Sequence, residues 1–344
     1  MKRIISLLLI FSMMVTLVAC GKETSNGDSG GNELPKDGPE FKFSIATSAT
    51  SSSIIGQTMQ YFADLVEERS GGKITVATYP DAQLGSDTEL IEGVQMGTIT
   101  MVIGNTAPQV SFVPELAVFD LPNVYSDTAQ AQAVLNNFKD KMEPYFEGTG
   151  LKLGVMFPTV FRYMSSNKPV RSIDDFQGIK IRTMENPYHM AYWNELGASA
   201  TPLAFSELYV GLQQGLVDAQ ENPLDIFMSS NFHEQQDYII HTKHILFIAT
   251  ILMNQEQWDM MPAEYQEIVA ECFEEAAKFG TENAKKIEDE IKQDIMDAGV
   301  EIIELDESTY EEIVEKVQPV YDMIREAVGS ELVDEYLKEI EAAK

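Results

Sequence analysis

The stretch that decides the fold reads DDFQGIKIRTMENPYHMAYWNELGASATPLAFSELYVGLQQGLVDAQENP and covers residues 174–223. Two short apolar runs, GIKIR (178–182) and LVDAQ (216–220), have the length and composition of strands. Between them lie two segments with helical spacing of apolar residues, 187–196 and 205–214. Strands that alternate with helices predict an α/β fold built in layers.

The same alternation continues on both sides of this stretch. A length of 344 residues favours about two domains. Residues 262–298 have the pattern of one long amphipathic helix. Further strands are predicted at 41–46, 73–79, 98–104, 151–157, 244–254 and 301–303, and further helices at 54–69, 88–96 and 127–146.

An internal repeat gives the two-domain expectation more detail. ELIEGVQMGTI (89–99) and ELYVGLQQGLV (207–217) share Glu, Leu, Gly, Gln and Gly at equivalent positions. Each copy predicts a helix, a capping glycine and then a strand, which leads to Asn105 in the first copy and Asn222 in the second. Two related α/β lobes would explain the repeat, and chance similarity is the alternative. Ligands bind beyond the carboxyl ends of such strands, so we expect the two asparagines to face each other across a cleft.

The sequence is strongly acidic and contains few arginines. With 24 Lys and Arg against 55 Asp and Glu, the net charge is −31, which argues against nucleic acid as a partner. Arginine is scarce, yet Arg162, Arg171 and Arg182 lie close together in the sequence. Arg182 ends a predicted strand, where its guanidinium could bind a carboxylate through two parallel hydrogen bonds. From composition alone, a surface salt bridge is the competing interpretation.

The amino-terminal segment predicts export. Residues 1–20 read MKRIISLLLIFSMMVTLVAC, a basic start followed by an apolar run too short for a membrane span. The run ends in Leu-Val-Ala-Cys, which resembles a lipobox, so we expect a signal peptide at 1–19 and a lipid on Cys20. An ordinary signal peptide is the alternative. Residues 20–40 are rich in Gly, Ser and acidic residues and would form a flexible tether.

Signatures of catalysis and of cofactor binding are missing from the sequence. It contains no HExxH, GxGxxG, GxxxxGK[ST] or GxSxG motif, so we expect no enzyme activity, no cofactor and no metal. The pair His241 and His244 lies in a segment predicted as extended. Residues three apart in an extended segment face opposite ways, so we expect no metal site at this pair. Cys272 falls on the apolar face of the long helix and is expected to be a buried, inert thiol.

The stretch 174–223 closely resembles the solute-binding proteins of TRAP (tripartite ATP-independent) transporters, of the DctP type. Residues 70–99, 161–170 and 238–258 also match, so the resemblance covers nearly all of 41–344. It implies a two-lobed, periplasmic-binding-protein-like α/β fold with a hinge, a ligand cleft between the lobes and a long helix that spans both. We expect lobe I at 41–159 plus 248–287, and lobe II at 160–247 plus 288–344.

The resemblance also implies roles for individual residues. Arg182 would form a paired salt bridge with the ligand carboxylate, Arg162 would contact the ligand too, and Asn222 would hydrogen-bond the same carboxylate. Phe205 would pack on the ligand. Arg171 has no clear counterpart and is taken as structural. The first lobe would contact the rest of the ligand through Ser48, Thr50, Gln83 and Asn105.

The function that follows is capture of a small organic acid on the extracytoplasmic face of a membrane, by a lipid-anchored protein that delivers the acid to the membrane subunits of a TRAP permease. Polar candidates in the first lobe, with no extra basic residue there, favour a sugar acid such as a uronate over a C4-dicarboxylate. A solute receptor for a sensor kinase is an alternative. A surface enzyme acting on organic acids is another, although the sequence shows no general base or nucleophile for it.

Overall fold

The structure is a computed structural model and describes residues 38–344. The predicted signal peptide, Cys20 and nearly all of the tether lie outside the described residues. The strands are β1 Phe41–Ala46, β2 Ile74–Tyr79, β3 Met101–Asn105, β4 Leu151–Phe161, β5 Tyr163–Ser166, β6 Lys180–Thr183, β7 Ser199–Pro202, β8 Ala219–Asn222, β9 Tyr238–Ile240, β10 Leu246–Asn254 and β11 Glu301–Ile303. The α-helices are α1 Ile54–Arg69, α2 Asp87–Gln95, α3 Thr128–Met142, α4 Pro187–Glu195, α5 Phe205–Gln213, α6 Leu224–Ser229, α7 Gln255–Asp259, α8 Ala263–Asp297, α9 Glu307–Lys316, α10 Gln318–Val328 and α11 Ser330–Ala342.

The strands form two mixed sheets. The first has the order β2-β1-β3-β10-β4, with β1 parallel to β2 and β3, and with β10 antiparallel to β3 and β4. The second has the order β11-β9-β5-β8-β6-β7, with β6 parallel to β7 and β8, and with β5 antiparallel to β8 and β9. Helices cover these sheets, which confirms the α/β fold class.

The chain passes between the sheets at two tight connections. β4 of the first sheet ends at Phe161 and β5 of the second begins at Tyr163, so Arg162 alone separates them. The return runs from β9 through residues 241–245 to β10. The hinge remains a prediction, and it would lie at these connections.

The long helix α8 packs against both halves of the molecule, as predicted. On one side it contacts α1 and β4, where the rings of Phe62 and Phe273 stack with centroids 4.9 Å apart. On the other it contacts α6 and β11, and Tyr163 donates a hydrogen bond to Glu288 at 2.8 Å. Cys272 lies on the inner face of α8, fully buried, and burial raises the pKa of its thiol to about 12.

Both copies of the internal repeat fold in the same way. Each is a helix, α2 or α5, that ends before a glycine with a left-handed backbone, Gly97 at φ 73° and Gly215 at φ 68°. Only glycine adopts this conformation without steric cost, so the conserved spacing of the two copies has a structural cause. The strands that follow, β3 and β8, end at Asn105 and Asn222 as expected.

Some predicted elements were wrong in extent. β4 continues to Phe161, four residues beyond the predicted end, because it pairs along its whole length with β10. The sequence did not predict the short strands β5, β7 and β9 or the helix α6. The segment that holds His241 and His244 was predicted as extended but is a connection, with Lys243 at φ 43°.

The last helices of the chain pack against elements that come much earlier in the sequence. The carboxyl-terminal helix α11 packs on α3, and α10 packs on α4 and on residues 114–120. The proposed lobe boundaries remain a prediction. Within residues 38–344, no helix combines the length and apolar character that crossing a bilayer requires.

Candidate functional site

A cavity lies between the carboxyl ends of β1 and β3 in the first sheet and those of β6 and β8 in the second. It measures about 390 Å³, including its opening to solvent. This edge of an α/β sheet is where ligands commonly bind. Six of the residues predicted for the ligand site line the cavity: Ser48, Asn105, Arg162, Arg182, Phe205 and Asn222.

Arg182 reaches the cavity from β6, an inner strand of the second sheet. Its side chain is 1% exposed, and its Nε donates to the Leu203 carbonyl at 2.8 Å. Its Nη1 is buried and has no hydrogen-bond partner in the described part of the chain. Burial lowers the pKa of Arg182 to about 10, which leaves the side chain charged at neutral pH. Of the arginines in residues 38–344, Arg182 is the one without a salt-bridge partner.

Arg162 reaches the same cavity from the connection between β4 and β5. It is fully buried, its Nε and Nη2 donate to the Glu221 carboxylate, and its Nη2 also donates to Asn222 Oδ1 at 3.0 Å. Its Nη1 has no partner among the described residues. A buried polar group without a partner is costly, so two such guanidinium nitrogens at one cavity predict a bound acceptor.

Glu221 holds Arg162 through a buried network of charged residues. Its carboxylate accepts a hydrogen bond from His244 Nε2 at 3.0 Å and lies 3.5 Å from His189 Nδ1, while His189 Nε2 lies 3.1 Å from Asp120. Burial acts to raise the pKa of Glu221, but the charge of Arg162 and the two histidines hold it well below its usual range. Burial acts to lower the pKa of His189, but Asp120 and Glu221 raise it to about 9.

The network therefore neutralises itself and leaves Arg182 as the unpaired cation of the site. At neutral pH His189 is charged and balances Asp120, while Glu221 balances Arg162. Burial lowers the pKa of His244, which stays neutral. An anion that enters the cavity would meet in Arg182 a positive charge that forms no salt bridge with the described residues.

The two asparagines face the cavity from opposite sheets, as the repeat predicted. The Asn222 side chain donates to Gln220 Oε1 at 2.5 Å and accepts from Arg162. The Asn105 side chain accepts from the Ala107 backbone at 2.8 Å. Both amides are thus held in position by hydrogen bonds within the protein.

Phe205 opens helix α5 and lies beside Arg182, whose guanidinium carbon is 5.9 Å from the centre of the ring. Phe247, which the sequence analysis did not select, has the same relation to Arg162 at 5.6 Å. The two aromatic rings and the apolar side chains of Met184 and Ile226 give the cavity walls that exclude water.

Two residues predicted for the site do not line the cavity. Gln83 is exposed in the turn that follows β2. Thr50 donates a hydrogen bond to Ser229 at 3.0 Å, a contact that joins the segment after β1 to α6 of the second half. Arg171, taken as structural, forms an exposed salt bridge with Glu301 at 2.5 Å.

The sequence analysis also missed Asp87, an acidic residue in the cavity wall. Asp87 is the first residue of α2, whose amino terminus is closed by a capping box between Ser86 and Glu89. Its Oδ1 accepts a hydrogen bond from Ser48 at 2.6 Å. Burial raises the pKa of Asp87, against the lowering effects of the Ser48 hydrogen bond and of Arg182 and Arg162. Acidic residues are common in first helical turns, so nothing in the pattern distinguished this one.

The comparison with protein families gives one match over most of the chain. The family model described as bacterial extracellular solute-binding protein, family 7 (DctP), matches residues 45–327. A solute-binding protein of Verminephrobacter eiseniae is 36% identical over 264 residues, which are 76% of this chain and 78% of that protein. The C4-dicarboxylate-binding periplasmic protein DctP of Rhodobacter capsulatus is 30% identical over 283 residues, 81% of this chain and 84% of that protein.

A solved structure agrees with these relatives. The sugar acid binding protein DctPAm of Advenella mimigardefordensis, determined in complex with galactonate, superposes with a TM-score of 0.87 at 26% identity. The match covers 90% of this chain and all of that one. Sequence family and fold thus point the same way: the chain belongs to the DctP family of bacterial extracellular solute-binding proteins, the solute-binding proteins of TRAP transporters.

Proposed function

We propose that this protein captures a small organic acid by its carboxylate at Arg182 and Arg162 and delivers it to the membrane subunits of a TRAP permease. The observation that carries the proposal is the pair of buried guanidinium groups that line the cavity, each with an Nη1 that has no hydrogen-bond partner among the described residues. A carboxylate is flat, anionic and accepts two parallel hydrogen bonds, so it would satisfy these donors together.

The ligand we favour is a sugar acid, such as a uronate, and a C4-dicarboxylate is next. Ser48, Asp87 and Asn105 place polar groups on the first-sheet wall of the cavity, and the cavity lining includes no lysine and no further arginine among the described residues. Such a wall suits ligand hydroxyl groups better than a second carboxylate. The structure of the Advenella protein contains a sugar acid, galactonate, whereas the Rhodobacter relative is named for C4-dicarboxylates.

Substitution of Arg182 tests the carboxylate site. Arg182→Ala should weaken binding of the organic acid by about 3–5 kcal/mol, or roughly 10²- to 10³-fold or more, because the ligand charge would be buried without its partner. Isothermal titration calorimetry measures this. The ligand itself is found by a thermal-shift screen of uronates, aldonates, dicarboxylates and keto acids, because a bound ligand raises the melting temperature.

Arg171→Ala is the matched control. It removes the same charge from an exposed salt bridge and should leave the affinity unchanged. Equal affinity of wild type and Arg182→Ala would contradict the proposed carboxylate site. For delivery, cells that carry the permease subunits should accumulate the acid with the wild-type protein and not with Arg182→Ala. Uptake that does not depend on the protein would contradict that part of the proposal.

A further inference from the structure

The wall of the cavity on the first-sheet side carries a carboxylate, which restricts what the far end of the ligand can be. Asp87 lines the cavity together with Ser48 and Gly104. Its Oδ1 lies 4.0 Å from the point where a side chain at Gly104 would begin, which is an ordinary van der Waals distance. Asp87 also lines the smaller neighbouring pocket, with Arg182, Glu185 and Phe205.

The carboxylate of Asp87 has spare capacity to accept hydrogen bonds. From the described residues it receives one side-chain hydrogen bond, from Ser48 at 2.6 Å, and it takes part in no salt bridge. A carboxylate can accept about four hydrogen bonds and, when ionised, donates none. The Ser48 hydroxyl already donates its hydrogen bond to Asp87, so the pair offers mainly acceptor oxygens to a ligand.

Asp87 lies near charged groups of both signs, two arginines and one glutamate. Arg182 and Arg162 lie on the second-sheet side of the cavity, where the proposed function places the ligand carboxylate. Glu185, which accepts a hydrogen bond from Thr88 at 2.5 Å, adds negative charge near Asp87, but it is exposed and lines the neighbouring pocket beside Arg182 rather than the cavity itself. The part of the ligand that extends from the two arginines to the first-sheet wall would therefore meet the carboxylate of Asp87.

We propose that Asp87, oriented by Ser48, is a specificity-determining residue that makes the site select hydroxylated monocarboxylates and reject dicarboxylates of the same length. This inference rests on the proposed function, because it needs one ligand carboxylate at Arg182. A ligand hydroxyl at the far end donates to Asp87, whereas a carboxylate there offers acceptors of the same charge and would lie unpaired beside it.

Matched pairs of acids test the inference, because an aldonate and its aldarate differ only in a terminal CH₂OH or carboxylate. Galactonate with galactarate and erythronate with meso-tartrate are such pairs. By calorimetry on the full chain, wild type should bind each aldonate at least about tenfold more tightly than its aldarate. Asp87→Asn should reduce this preference by about tenfold or more, chiefly through tighter aldarate binding, because it removes the like charge and adds an NH₂ donor.

Two further variants make the result specific. Glu92→Gln removes the same charge from an exposed position of the same helix and should leave the preference unchanged. Ser48→Ala should weaken aldonate binding more than aldarate binding without any change at residue 87. Equal melting temperatures of the ligand-free variants would show that each one folds.

The outcomes separate this inference from the function on which it rests. If acids bind wild type and fail to bind Arg182→Ala, but Asp87→Asn changes both members of a pair equally, the inference is wrong and the proposed function stands. Tighter wild-type binding of aldarates would also overturn it. If none of the acids binds wild type, the proposed function fails and the inference fails with it.

Discussion

A single residue, His189, links the binding site to the pH dependence of the whole fold. Its imidazolium lies between Asp120 and Glu221, which raise its pKa to about 9 from a usual value of about 6.5. A pKa that is higher in the folded state stabilises the fold fully below about pH 6.5. That contribution declines as the pH rises and is lost above about pH 9.

We expect the free energy of unfolding to fall between pH 7 and pH 9.5, by an amount on the order of 1–3 kcal/mol, as His189 loses its proton. Equilibrium unfolding in urea at a series of pH values measures this. His189→Gln should flatten the decline, and His233→Gln, outside the network, should preserve it. A decline that persists unchanged in His189→Gln would assign the effect to another group.

At the scale of residues, the sequence identifies a candidate site residue more readily where its residue type is scarce in the chain. Arg162 and Arg182 stood out because arginine is scarce in an acidic chain, and because Arg182 ends one predicted strand and Arg162 follows another. Their roles at the ligand came from the resemblance to the solute-binding proteins of TRAP transporters. Asp87 and Glu221 did not stand out, since they are two among 55 acidic residues and nothing in the local sequence distinguishes them. Their roles depend on contacts between distant positions, such as Ser48 with Asp87 and Arg162 with Glu221, which no local pattern encodes.

At the scale of elements, the close approach of α8 to β4 involves two glycines, Gly154 on β4, where a side chain would begin 2.8 Å from the ring of Phe273, and Gly280 on α8. A side chain at Gly280 would begin 2.5 Å from the ring of Phe157 and 3.0 Å from Thr58 Oγ1. A side chain at this position would therefore force the helix or the ring of Phe157 to move. The contact matters because α8 also packs against the second half of the molecule.

Gly280→Ala should destabilise the fold by about 1–3 kcal/mol, although alanine favours a helix more than glycine does by about 1 kcal/mol. The added methyl group would force the ring of Phe157 or the helix to move. Chemical denaturation measures the change. Glu282→Ala, at an exposed position of the same helix, is the control and should change stability by less than about 0.5 kcal/mol. A stabilised Gly280→Ala variant would show that the contact is not limiting.

Long elements were easier to predict than short ones for a physical reason. The 35 residues of α8 repeat an apolar pattern over many turns, and prediction placed its ends within one residue of those observed. Strands β5, β7 and β9 have three or four residues each and owe their form to neighbouring strands. Their local sequence carries too few alternations to distinguish a strand from a loop.

At the scale of the whole molecule, the surface and the cleft differ in charge. The chain carries a net charge of −31, yet the cavity holds Arg162 and Arg182. The acidic surface excludes nucleic acid as a general partner but does not prevent an anion from binding in a cleft, since salt screens charges beyond about 8 Å. Length and the internal repeat predicted two lobes, whereas the pairing of β10 with β3 and β4 required the structure.

Attachment to a membrane is predicted for the molecule as a whole. Cys20→Ala should release the protein from the membrane fraction into the soluble extracytoplasmic fraction, because the lipid would have no attachment site. Fractionation followed by immunoblotting measures this, with Cys272→Ala as the control for loss of a thiol. Equal distribution of wild type and Cys20→Ala would show that the protein carries no lipid at that residue.

The position of Arg162 on the single-residue connection between β4 and β5 has a geometric consequence. When two bodies rotate about an axis, the displacement of any point grows with its distance from that axis. A group on the connection itself is displaced least, so the carboxylate anchor would keep nearly the same form whether the lobes are apart or together. Asp87 lies on the first-sheet wall, away from that connection, so a closing motion would change its distance from the ligand more than that of Arg162. Substitutions on that wall could therefore exchange one acid for another while the anchor and the closing motion stay the same.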